Sequence, residues 1–416
     1  MSESRTDAAA APDADAAQTV ASAVAAAPFV RIFGHADGDS LTACGLLAVA
    51  CRDRAIPFRV HVSADPAGDA ADAVESDDGE SDDDSRTLVV TRGHSMPSPD
   101  LAIPARGADA PVSVGAAAIS RELGVEPDPV LALAGVIAAG ETPGTAGSDR
   151  LLQQAETAEL IERRPGVAVP TADLAADLAH STRLDAPFSG DVDAAGELCA
   201  DLGVPTDLSA EPDEETRTQL ASTVAVATAT ADPAASQAAA SVEAALRPYA
   251  TPTAPFATLG GYADVLSALA REAPGVVVSL AVGASGAVSE ALDVWRDHAA
   301  AAHAALDDPI SGRYEGVYVL RIETDRPAVV PTVARLTRGF RSPEPVALVV
   351  SEPIDGRRHA ALSSIDPQGL AATAATVATE FDGMVGGTLT AATLAVDDRV
   401  EDSALIAAIR EALADD

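Results

Sequence analysis

Lysine is absent from this chain. All 27 basic side chains among its 416 residues are Arg, set against 64 Asp and Glu, for a formal charge of -37 and a pI near 4.3. That balance excludes a broadly basic surface. It suits a cytoplasm of molar salt, where the screening length falls to about 3 Å and carboxylates scarcely repel one another. Under those conditions net charge does not exclude DNA or RNA, but binding would need a local Arg cluster or stacking aromatics, and only 3% of residues are aromatic. The 3 Cys, at Cys44, Cys51 and Cys199, form neither a disulfide framework nor a zinc spacing and read as small core residues. No apolar run reaches the roughly 18 residues of a membrane span, and the N-terminus has no basic flank of a secretory signal. The expectation is a cytoplasmic protein with no membrane partner.

What is present alternates between strand and helix. Residues 1–26 are rich in Ala and Asp and read as a disordered tail or a frayed helix. The apolar run Phe29 to Gly34 reads as a buried strand, followed by a turn and an apolar helix from Leu41 to Cys51. A second strand at Phe58 to Val62 completes a βαβ unit, so the N-terminal domain, 27–186, should hold a parallel sheet. Within it, 65–85 reads as an acidic disordered loop and Thr87 to Thr91 as a third strand. Residues 187–254 read as a helical connector. A smaller α/β domain over 255–416 follows, with strands expected at Val276 to Val282 and Thr388 to Val396 among others.

One segment is dense in polar groups: His35-Ala36-Asp37-Gly38-Asp39-Ser40, where the first strand meets the first helix. Ligands of open parallel sheets bind at such places. In extended backbone His35, Asp37 and Asp39 share one side and suit Mn²⁺ or Mg²⁺ acting on phosphate oxygens. A plain helix cap by Asp39 or Ser40 accounts for the same residues.

The string from Phe33 to Ala43 resembles the first motif of the DHH phosphoesterase family. Gly386-Gly387-Thr388 and the small residues after it resemble the glycine-rich motif of the companion DHHA1 domain. The likeness is to archaeal RecJ-like proteins, the branch that includes the GINS-associated nuclease, and the composition is haloarchaeal in type. The resemblance implies a DHH-like domain, the connector and a DHHA1-like domain. It also implies a two-metal centre at His35, Asp37 and Asp39 that cuts phosphodiester bonds, and a role at single-stranded nucleic acid in replication or repair.

Other family positions differ. Arg92 stands where the second motif has Asp, no Asp-His-His triplet occurs, Ala139 ends the helix where Asp is expected, and Thr388 replaces a His. One His and two Asp do not hold two cations roughly 4 Å apart. Arg92 would either repel a metal or pair with Asp37 or Asp39, while His94 and Glu141 are candidate replacement ligands. Arg335, Arg338 and Arg341, spaced by three, present a row for a phosphate backbone or a solvated helix face. His298, His303 and Trp295 read as structural.

The expectation is therefore a RecJ-like protein with a degraded metal centre. It would act as a non-catalytic accessory that binds single-stranded DNA or RNA, with GINS-like replisome proteins as candidate partners. The alternative is an active Mn²⁺-dependent exonuclease or small-nucleotide phosphoesterase.

Overall fold

The computed structural model of the protein describes residues 14–75, 85–92, 101–102, 110–206, 213–231 and 237–415. In chain order the elements are α1 (Ala14–Ala26), β1 (Val30–His35), α2 (Gly38–Asp53), β2 (Phe58–Ser63), α3 (Pro66–Glu75), β3 (Arg86–Val90), β4 (Leu101–Ala102), α4 (Val112–Glu122), α5 (Pro129–Ala138) and α6 (Asp149–Thr157). Next come β5 (Glu162–Arg163), α7 (Leu174–His180), α8 (Val192–Asp201), α9 (Glu214–Ala229), α10 (Ala238–Glu243), β6 (Tyr249–Ala250), α11 (Leu259–Glu272), α12 (Pro274–Ala281) and α13 (Ala287–Ala304). The rest are β7 (Ile310–Tyr314), β8 (Val317–Ile322), α14 (Val330–Leu336), β9 (Val346–Ile354), β10 (Arg357–Ser364), α15 (Leu370–Phe381), β11 (Met384–Gly387), β12 (Ala391–Asp397) and α16 (Asp402–Asp415). They form two compact units, 1–160 with 274–287, and 161–273 with 288–416.

In the first unit a parallel sheet runs β2-β1-β3-β4. The central strand β1 is apolar and almost wholly buried, as a strand flanked on both sides must be. Gly34 sits where α2 crosses it: a Cβ there would lie 2.5 Å from Cys44 Sγ. The missing side chain brings the N-terminus of α2 onto the carboxyl end of β1, which sets the position of the polar motif. α2 is buried from Gly38 to Cys51 apart from Val49, packed among α4, α5 and α12.

Three expectations are corrected here. Residues 14–26, read as a disordered tail or frayed helix, form a packed helix, α1, which buries Ala17, Val20, Ala21 and Val24 at helical spacing against α4. Residues 66–75 of the acidic loop form α3, and 76–84 lie outside the described residues. The Val276 to Val282 run is not a strand but α12, opened by Pro274, with Val276, Val277 and Leu280 buried on one helical face. A short Val run carries no period of its own, so its packing against α2 decides.

The second unit is built on a mixed sheet ordered β11-β12-β10-β9-β8-β7, in which β8 and β9 are parallel and the other neighbours antiparallel. Residues alternate between two cores. Leu320, Ile322, Val349 and Ala361 face α14 and the helices α7 to α10, while Val319, Leu348, Leu362 and Leu394 face α15 and α16. The helices between 187 and 254 thus contribute to this unit's core. The strand expected at Thr388 to Val396 is β12 from Ala391 onward, while Thr388 to Thr390 form the turn of the β11–β12 hairpin.

Substituting Gly34→Ala should cost about 1–3 kcal/mol by overpacking. Adding Cys44→Ala to the same chain should recover part of that loss. Denaturant unfolding of both variants in molar KCl checks this.

Candidate functional site

The carboxyl edge of the first sheet brings His35, Asp37, Asp39 and Arg92 together. His35 ends β1, and the next residues turn into α2, which begins at Gly38 with Asp37 as its cap. Asp37 Oδ1 accepts from the amides of Asp39 at 3.1 Å and Ser40 at 3.0 Å. Its Oδ2 accepts from Ser40 Oγ at 2.6 Å and from His35 Nδ1 at 2.9 Å. The cap is therefore Asp37, not Asp39 or Ser40.

Asp39 is wholly buried and points to a different helix. Its Oδ2 accepts from the amide of Val112 at 2.7 Å and its Oδ1 from that of Ser113 at 3.1 Å. These amides open α4, whose own preceding residue, Pro111, offers no side-chain cap. Asp39 thus caps α4 from 73 residues away.

Arg92, the second residue after β3, supplies the positive charge. Its Nη2 lies 3.9 Å from Asp37 Oδ1 and its Nε 3.8 Å from Asp39 Oδ2. Nη1 donates at 2.9 Å to the carbonyl of Ala139, the residue that closes α5. The Ala139 side chain contributes nothing to this contact, but its carbonyl marks a helix C-terminus, where a cation is favoured.

The two carboxylates respond in opposite directions. Burial opposes ionisation of Asp37, but Arg92 and the hydrogen bonds from His35 and Ser40 outweigh it and hold its carboxyl well below the ordinary range. Burial pushes Asp39 up to about 6, with Asp37 adding to the rise and Arg92 and the two α4 contacts opposing it.

Mn²⁺ or Mg²⁺ does not fit these residues. The four oxygens are committed to backbone amides, a hydroxyl and an imidazole, and a guanidinium bridges the two carboxylates. Among the described residues no group of three His, Cys, Asp or Glu could hold a metal ion. Glu141, a candidate ligand from the sequence, instead accepts from Thr145 Oγ1 at 3.1 Å. His94 lies outside the described residues.

In the second unit the Arg row is divided. The helix α14 ends at Leu336, and a π-helical turn over Thr337–Arg341 follows it. Arg341 pairs with Asp185, with Nη2 at 2.9 Å from Oδ1, and donates to the Leu306 carbonyl at 2.8 Å. Arg335 Nη2 donates to Thr182 Oγ1 at 2.8 Å. Arg338 Nε and Nη1 are buried without a hydrogen-bond partner. Gly386 and Gly387 lie in the edge strand β11, and Thr388 Oγ1 accepts from the amides of Thr390 and Ala391 inside the turn.

His298 has a carboxylate partner after all: Nδ1 meets Glu272 Oε1 and Nε2 meets Thr332 Oγ1, each at 2.9 Å, tying α11, α13 and α14 together. His303 is buried against the Ser181 carbonyl. Trp295 is core, but its Nε1 donates at 3.1 Å to the buried Asp264. Asp264 also takes the amide of Thr182 at 2.9 Å and the Thr182 hydroxyl. Spread over residues 182 to 335, this cluster has no local sequence signature.

Two solved structures share this architecture. RecJ of Thermus thermophilus, crystallised with Mn²⁺, superposes with a TM-score of 0.51 at 15% identity over 97% of this chain and 55% of that one. CDC45 of Entamoeba histolytica superposes with a TM-score of 0.58 at 8% identity, over 96% of this chain and 99% of that one. The chain thus has a RecJ-like DHH fold and spans about half the length of the bacterial RecJ. Residues 309–411 match the family described as "Uncharacterized protein rrnAC1427, C-terminal domain". The protein rrnAC1427 of Haloarcula marismortui is 40% identical over 326 residues, 78% of this chain and 79% of that protein. The chain belongs to the family of that haloarchaeal protein.

Removing Arg92 should be costly. Arg92→Ala leaves the buried Asp39 and the part-buried Asp37 without their cation and should lower stability by about 3–5 kcal/mol, with Arg92→Lys recovering only part because one ammonium cannot reach all three partners. Asp39→Ala strands two buried amides at a cost of about 1–3 kcal/mol. Because the folded-state value of Asp39 is raised from 3.8 to about 6, its contribution to stability is full below the lower value and is lost as pH rises through the higher one. The Asp39→Ala penalty should therefore be larger at pH 4 than at pH 7. Urea unfolding of the variants at both pH values measures all three effects.

Proposed function

We propose that this protein is a RecJ-fold scaffold that has exchanged hydrolysis for binding. In this reading it is a non-catalytic accessory of DNA replication or repair that engages single-stranded nucleic acid. One observation carries the first half: Arg92 occupies the space between Asp37 and Asp39, and both carboxylates are spent on helix amides. Phosphodiester hydrolysis by paired metals needs carboxylate oxygens free to bridge cations, and a guanidinium in their place offers only donors. The second half rests on the family resemblance of the His35 to Ser40 and Gly386 to Thr388 motifs. It is consistent with the similarity to RecJ and CDC45, and with Arg338 of the second unit, whose Nε and Nη1 are buried without a hydrogen-bond partner among the described residues.

The proposal is tested with end-labelled single-stranded DNA and a short dinucleotide in molar KCl with Mn²⁺. The expected result is retention of the strand in a complex without product from either substrate. Cleavage that disappears in Asp37→Asn would establish an active exonuclease or small-nucleotide phosphoesterase and overturn the reading. Neither cleavage nor complex formation would remove the nucleic-acid half.

A further inference from the structure

A cluster of charged side chains lies within the second unit. After α7 the chain turns through Thr182 and Arg183 onto the first half of α11. Thr182 sits on Asp264, and Arg183 Nε lies 3.7 Å from where a Cβ of Gly260 would project, one helical turn earlier on the same face. Arg335 of α14 reaches the same turn through its contact with Thr182 Oγ1.

The charges there do not balance. Asp264 is the one carboxylate that acts on both guanidiniums among the described residues, and its oxygens are occupied by Thr182 N, Thr182 Oγ1 and Trp295 Nε1. Arg183 Nε is buried without a hydrogen-bond partner, and no ion pair of its guanidinium occurs among the described residues. Burial and the Arg335 charge both press the Arg183 pKa down, and Asp264 only partly opposes them. Arg183 also lies over the first turn of a 14-residue helix, the end at which a cation is disfavoured. In a chain with 64 acidic residues, carboxylates are not scarce, yet this pair of cations lacks one of its own.

We propose that Arg183 and Arg335 form a binding site for a phosphate group. Two planar guanidinium forks at a helix N-terminus match a tetrahedral oxyanion, which would cancel the repulsion between the arginines and complement the helix dipole. Gly260 is part of the site, since any side chain there would meet Ala168 Cβ at 2.6 Å and crowd Arg183. The inference stands independently of the nucleic-acid reading, because the phosphate belongs either to a strand or to a free phosphate or nucleotide.

The test is a titration of the full chain with inorganic phosphate in KCl, read by calorimetry and by thermal unfolding. Phosphate stabilises folded proteins generally, so the comparison between variants decides. Wild type should bind saturably. Arg183→Gln and Arg335→Gln should bind about tenfold to a hundredfold more weakly, and Arg399→Gln, which removes an exposed Arg paired with Asp397, should bind as wild type does. Without phosphate, Arg183→Gln should unfold at the same temperature as wild type or higher, since the substitution removes a repulsion. Equal phosphate binding by Arg183→Gln, or a lower unfolding temperature of that variant without phosphate, would overturn the proposal. Displacement of phosphate by oligothymidylate identifies a strand as the source. Saturable phosphate binding that oligothymidylate leaves unchanged keeps the site and refutes the strand reading at this location.

Discussion

The guanidinium of Arg92 closes a circuit of three helix ends. It lies between the carboxylate that caps α2 and the one that caps α4, and it donates to the carbonyl that ends α5. Two helix N-termini, two carboxylates, one cation and one helix C-terminus thus meet at the carboxyl edge of a parallel sheet, each satisfying the next. Each carboxylate of the site has an internal partner. Its importance to the fold follows from burial: Asp39 has no contact with water, so its charge depends on Arg92 and on the two amides of α4.

Such an arrangement gives the His-Asp-Asp string a structural role within a RecJ-like fold. In the first unit Asp37 and Asp39 cap α2 and α4 and share the guanidinium of Arg92. In the second unit the situation is reversed: Arg183 and Arg335 are held in place by neutral groups and by one occupied carboxylate, which leaves positive charge unspent. The two units therefore differ in what they offer a ligand.

The parallel sheet was readable because its strands are short apolar runs punctuated by glycine and followed by a helix of matching length. The edge-of-sheet position of His35, Asp37 and Asp39 was readable for the same reason. What those residues do was not, because the partners of Asp39 are amides 73 and 74 residues further along and no local pattern announces them. α12 looked like a strand because three consecutive valines have no period, and only α2 beneath it selects the helix. The spacing of Arg335, Arg338 and Arg341 suggested one row across a helix end and the turn after it, whereas the π-helical turn after Leu336 sends Arg341 to Asp185. The cluster around Asp264 was invisible, since Thr182, Trp295 and Arg335 meet only after four helices have packed.

The most direct measurement of the central claim is Mn²⁺ titration of the protein in molar KCl, followed by electron paramagnetic resonance of the free ion, comparing wild type with Asp37→Asn. Molar salt suppresses diffuse binding to the acidic surface, and Asn preserves the helix cap. The account predicts identical curves, because Arg92 already fills the charge requirement of that edge. A stoichiometric, saturable Mn²⁺ site present in wild type and lost in Asp37→Asn would contradict it.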